Sequence, residues 1–326
     1  MTLNGSNGKR LKSSEAFRSA DRLVARRRED LERVEPIDEI QMELTEKWIV
    51  PALAEIETEF LEIRMAVDVE LSRRFAQVPS KPEIPKATKI YPEGYCLQIT
   101  KHVLDEFEKR HAERPSRVST TIDSFRRDGG HFHRVWGILR DKYFQNALQI
   151  GSLYFDVAND TVDVAKPKLE YMPMADSGFR NIASFEEYAT IVESYCGGTV
   201  YPNNHFPVLA PLMPILWFDE RQELSIRSSI QYMLQMNIDS DFHAAERFLT
   251  QSPWTDRPLP EAMAEQLERY KAESLPSKSR TPATGVSVEI LRAKCEEVRM
   301  NRTYSSRSFL TQMLEWSSKV RLKADA

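Results

Sequence analysis

An α+β fold, with a central, mostly antiparallel sheet or small sandwich wrapped by N- and C-terminal helices, is predicted by three observations. A stripe of apolar residues recurs at helical spacing near the N-terminus, apolar and polar residues alternate near the centre, and helical spacing returns toward the C-terminus. The chain of 326 residues is long enough for one large domain or two ordinary ones, so core volume is not limiting. An apolar fraction of 41% and an aromatic fraction of 10% fit a packed globule.

Residues 1–15 carry Gly, Ser, Asn and Lys with few apolar anchors, so little would offset the entropy of ordering them; a flexible tail is expected. A helical region is expected over 16–119. Within it Ile49, Leu53, Ile56, Phe60, Ile63, Val67 and Leu71 recur at steps of three or four, predicting a helix to about Ala76. Pro51 either sits in its first turn or divides it from a shorter helix over Ile37 to Val50. Pro79, Pro82, Pro85 and Pro92 then exclude regular helix, and Ile99, Val103 and Phe107 mark a second helix from Tyr95.

A strand-rich region is expected over 120–218, opened by the break at Gly129 and Gly130. Leu153, Phe155 and Val157 alternate with polar neighbours, Asn159 and Asp160 suit a turn, and Val162 and Val164 alternate again, which predicts a hairpin. Pro167 and Pro173 make any extension to Met174 an edge or a strap. Ser184 with Glu187 has capping-box spacing at the head of a helix that Gly197 can end. Helices are expected over Asp219 to Met236, Phe242 to Leu249, Glu261 to Lys271, Val286 to Met300 and Ser306 to Val320, so that 219–326 is a helical region forming one compact unit with 16–218. No internal repeat is found, which argues against a solenoid or propeller.

Forty-five basic and 49 acidic side chains leave a net charge of -4, giving no overall attraction to nucleic acid or acidic lipid. The run Arg26, Arg27, Arg28 is followed at once by Glu29 and Asp30 and reads as a solvated face. Cys96, Cys196 and Cys295 lack the spacing of a zinc knuckle or redox pair, so buried thiols in a reducing compartment are expected. No run approaches the roughly 20 apolar residues of a membrane span, and cytoplasm is the expected location.

The chemistry centres on His131 and His133. Two residues separated by one project to the same side of a strand, so these imidazoles could share a divalent metal with Asp156 and a third histidine, His205. Mononuclear iron in a strand-built pocket is one version and zinc hydrolysis another. The loop around His205, hemmed by Pro202 and Pro207, would aim it as general base, with Asp160 and Tyr154 as further catalytic groups. Arg180, Asn159 and Asn204 would orient a small polar or anionic substrate, Arg180 by a bidentate carboxylate contact. A second metal arrangement would use Glu108 with His111 and Asp239 with His243 on helices.

These residues point to a metal-dependent enzyme acting on a small polar molecule, such as a non-heme iron oxygenase. Two rivals use other features. Asp156 or Asp160 with a divalent ion would suit transfer from a nucleotide sugar, whereas the stripe from Ile49 to Leu71 would suit a non-enzymatic protein that forms a homodimer through its N-terminal helices. The phosphate-binding loop, the dinucleotide fingerprint, the nucleophile elbow and the His-Glu-x-x-His motif do not occur.

Overall fold

A computed structural model describes residues 32–76, 91–219, 223–227, 231–274, 285–317 and 321–323. The chain divides into two compact units between Asn181 and Ile182. Each contains helices and an antiparallel sheet, so the fold is α+β. The strands form two sheets rather than one central sheet, because the C-terminal half supplies strands of its own.

In the first unit, residues 32–38 lead without regular secondary structure into helix α1 (Glu39–Leu44), whose first turn is capped by Asp38 accepting from the Gln41 amide at 2.9 Å. A π turn and a 3-10 turn carry the chain past Pro51 into α2 (Leu53–Ala76). Neither glycine nor proline interrupts α2, and its stripe of Ile56, Phe60, Ile63, Val67 and Leu71 is fully or almost fully buried. Helix α3 (Cys96–Glu113) contributes Ile99, Val103 and Phe107 to the same core. Helix α4 (Arg117–Arg127), which the sequence reading missed, starts at a reciprocal cap between Ser116 and Ser119 and buries Val118, Ile122 and Phe125.

The sheet follows as β1 (Phe132–Leu139), β2 (Tyr143–Ile150), β3 (Leu153–Asp156), β4 (Glu170–Pro173) and, after the short helix α5 (Met174–Ser177), β5 (Phe179–Arg180). Its order is β4-β3-β2-β1-β5. The turns differ from those expected. Arg140, Asp141 and Lys142, the first two at positive φ, join β1 to β2, and Gly151 with Ser152 joins β2 to β3. Asn159 and Asp160 lie in a 3-10 turn, and Val162 to Val164 form no strand; the partner of β3 is β4, reached by a longer loop. β4 lies at the sheet edge, where proline is tolerated.

One face of this sheet presents Phe132, Leu148, Ile150 and Phe155 to the helices. The opposite face buries Val135, Leu139, Ala147, Tyr154, Met174 and Phe179 beneath Val34 and Ile37. Gly137 allows β5 to approach, since a Cβ there would lie 2.3 Å from the Arg180 carbonyl oxygen.

In the second unit, α6 (Phe185–Ile191) starts at Ser184, whose hydroxyl accepts from the Glu187 amide. Strands β6 (Thr199–Pro202), β7 (Ile215–Phe218) and β8 (Glu223–Arg227) precede α7 (Gln231–Asp239), α8 (His243–Gln251), α9 (Glu261–Ser274), α10 (Val288–Asn301), α11 (Arg307–Ser317) and β9 (Arg321–Lys323). The sheet order is β6-β7-β8-β9. The helix expected from Asp219 therefore gives way to β8, which pairs with β7 and with the distant β9. The core here gathers Phe206, Leu209, Leu216, Leu234, Phe242 and Leu267 among others. The expected tail at 1–15 and most of the proline-rich stretch lie outside the described residues.

Candidate functional site

His131 and His133 do lie near one another, with ring centroids 6.2 Å apart and planes at 83°. His133 Nε2 donates to the Arg33 carbonyl at 3.0 Å, which fixes its tautomer and leaves Nδ1 as the acceptor nitrogen. Burial lowers its pKa, opposed by that hydrogen bond and by Glu35.

Asp156 is engaged elsewhere. Its carboxylate is enclosed in the sheet, accepting from Gln145 Nε2 at 2.7 Å, the Tyr154 hydroxyl at 2.8 Å and the Ala158 amide at 2.7 Å. Burial pushes this carboxyl up to about 6, against the three hydrogen bonds that hold it down. Tyr154 is itself wholly buried, and burial beside Asp156 raises its pKa well above the usual phenol value.

This pair carries a pH prediction. The unfolded chain releases the Asp156 proton near 3.8, whereas the folded chain holds it to about 6. Folding therefore takes up a proton between those values, and the stabilisation is complete at lower pH and lost as pH rises through 6. Relative to an Asp156→Asn variant, the wild-type chain should be more stable at pH 4.5 than at pH 7.5 by roughly 1–3 kcal/mol. Urea denaturation of both at the two pH values reads this; a difference that does not change with pH would contradict it.

Asp160 pairs with buried Arg64 at 2.9 Å and with Lys168 at 3.2 Å, and Asn159 donates to the Pro167 carbonyl, so both pin the loop after β3. His205 and Asn204 belong to the second unit. His205 is buried, and the Asn204 side chain packs on Gly285, where a Cβ would come within 2.7 Å of Cγ. The helical metal pairs are also engaged: His111 binds Asp123 at 2.6 Å, Glu108 binds Arg126, and Asp239 and His243 fall on different helices. Among the described residues, no three His, Cys, Asp or Glu side chains converge as metal ligands.

Arg180 is different. It stands on the rim of an open cleft of about 790 Å³ in the first unit, within the roughly 300–1,000 Å³ of small-molecule sites. Ile37, Met42, Pro173, Met174 and Phe179 give this cleft apolar walls, and Arg140, Asp141 and Glu46 are among the other residues that line it. Arg180 Nε and Nη2 donate to Asp141 Oδ1 at 3.0 and 2.7 Å, and Arg140 Nη2 donates to both Glu170 oxygens at 3.0 Å.

Two backbone features hold the arginines together. The Arg140 amide donates to the Gly178 carbonyl at 2.8 Å, and Gly178, at φ 70°, lets the Arg140 side chain pass where a Cβ would stand 3.1 Å from its Cγ. The left-handed Arg140 and Asp141 suit the twist of a two-stranded turn, although arginine is an uncommon residue there.

Compared with protein families, curated proteins and solved structures, the chain matches none. Of the residues that line this cleft, sequence reasoning had singled out Arg180 and passed over Arg140, Asp141 and the apolar walls. Only an Arg-Asp pair between two apolar-rich segments could have signalled the turn.

Proposed function

We propose that the first unit binds a small amphipathic carboxylate, its head between Arg180 and Arg140 and its hydrocarbon tail on the cleft walls. One observation carries this reading: two arginines, Arg140 and Arg180, line an open cleft together with the carboxylates Glu46 and Asp141, and its apolar walls are methionine, isoleucine, proline and phenylalanine. It retains the anionic ligand expected from the sequence and assigns no role to a cation.

Asp141 stands in for the ligand carboxylate. Its side chain is 77% exposed and its pairing with Arg180 is correspondingly weak, about 0–1 kcal/mol, so an incoming carboxylate can take its place. The methionines adapt to tails of different shape because their thioethers are flexible. Met42 is 48% exposed, leaving apolar surface for such a tail to cover.

Calorimetric titration with octanoate tests this. Each buried methylene adds about 0.8 kcal/mol, so acetate should bind far more weakly than octanoate. Arg180→Ala should weaken octanoate roughly ten- to hundredfold, the value of a charge-assisted contact, and Asp141→Asn should tighten it. Octanoate binding indifferent to Arg180→Ala would remove the proposal. Cytoplasm stays the proposed compartment, supported by three cysteines that form no disulfide. Among the described residues no helix is long and apolar enough to cross a membrane.

A further inference from the structure

Residues 32–37, which lack regular secondary structure, are held in an unusual way. A strand added to a sheet is bound by backbone hydrogen bonds, yet among the described residues the backbone supplies one bond here, from the Trp136 amide to the Glu32 carbonyl at 2.6 Å. Side-chain amides supply most of the rest. Gln149 accepts from the Glu35 amide at 2.8 Å and donates to its carbonyl at 3.0 Å, and Asn181 does the same for Val34 at 2.9 and 3.0 Å. His133, directly opposite Gln149 in the β1–β2 register, donates to the Arg33 carbonyl.

Three consecutive residues are thus gripped by their main chain, which any sequence could offer. Selectivity enters at three side chains. Glu32 pairs with Arg134, while Val34 and Ile37 pack on the apolar cluster of the sheet face. Pro36 keeps Glu35 extended and lowers the entropy of docking. The edge of β1 is open to such a segment, since β5 pairs only with Ile138 and Leu139.

We propose that this face of the first unit is a recognition groove for an extended peptide with an acidic residue followed by aliphatic residues two and five places on. Residues 32–37 are its resident occupant, and a partner segment of the same pattern replaces them. The inference does not rest on carboxylate binding in the cleft. The resident segment shows the fit, and its covalent tether, which acts as a high local concentration, is what a partner must overcome.

The test uses the full chain and a fluorescein-labelled peptide of residues 31–38. Val34→Asp weakens the resident segment without touching Gln149 or Asn181, so the variant should bind the peptide at least about tenfold more tightly than the wild-type chain. Adding Gln149→Leu and Asn181→Leu should abolish that binding. A folded Val34→Asp chain that takes up no peptide, or binding that survives the two leucines, would overturn the proposal. Should Val34→Asp fail to fold, hydrogen exchange on the wild-type chain decides. The Val34 and Glu35 amides should exchange well before those of the β1–β2 ladder, and exchange only together with the ladder would overturn the proposal.

Discussion

Replacing Arg64 with methionine is expected to lower the unfolding free energy of the first unit by about 3–5 kcal/mol, the largest effect among charged positions. Arg64 is fully buried on α2 amid the apolar stripe. Its guanidinium donates to Asp68 at 2.8 Å, to the Val157 carbonyl at 2.7 Å and to the Lys168 carbonyl at 3.3 Å, and pairs with Asp160. One side chain thereby ties the helix layer to both ends of the loop between β3 and β4. Methionine matches its length but leaves Asp160, 5% exposed, with the half-exposed Lys168 as its counter-charge among the described residues. Burial alone would raise the Asp68 pKa; hydrogen bonds from Lys168 and Tyr91 and the Arg64 charge outweigh it and hold the group below the usual carboxylate value. Urea denaturation should show a lower midpoint with unchanged slope, and a loss under about 1 kcal/mol would mean that the loop relaxes to rehydrate Asp160.

Phe60→Ala should cost a similar amount, about 3–5 kcal/mol, through a cavity at the centre of the core. The ring stacks on Phe107 at 5.0 Å and meets Phe155 edge-on at 5.3 Å, joining α2, α3 and β3 at one point. No neighbour is free to fill the space, because Ile56, Ile63, Phe107 and Phe155 are already fully or almost fully buried. The same packing changes the meaning of a charge at this site. The stripe from Ile49 to Leu71, which could have formed a homodimer, is engaged within the chain, so Phe60→Asp should unfold the unit at any protein concentration. Sedimentation with circular dichroism separates the two cases: a folded species of lower mass would restore the dimer interface.

The fold was legible where local pattern and tertiary role agree. The spacing of Ile56, Phe60, Ile63 and Val67 specifies a buried helical face, and Ser184 with Glu187 marks a helix start from side-chain chemistry alone. It was illegible where a distant partner decides. Glu223 to Arg227 reads equally well as helix, and becomes a strand because β7 and β9 flank it. Asn159 and Asp160 have turn chemistry, but Arg64, far away in sequence, determines what Asp160 does. The charge at Arg64 within an apolar stripe was the available signal for a buried ion pair, since an unpaired charge could not remain there.

The cleft was harder to foresee because four separate stretches build it. Ile37 and Met42 come from the N-terminal segment, Arg140 and Asp141 from one turn, Ser152 from the next, and Met174 and Arg180 from the run through α5 to β5. None forms a local motif with another. The histidines were conspicuous by rarity, yet His133 is engaged by a backbone carbonyl and His205 lies buried in the other unit.

Arginine side-chain Nε–Hε resonances followed through an octanoate titration test carboxylate recognition most directly. The Arg180 and Arg140 signals should move together and saturate, while that of enclosed Arg64 stays fixed. Shifts spread evenly over exposed arginines, or an unmoved Arg180, would contradict the account.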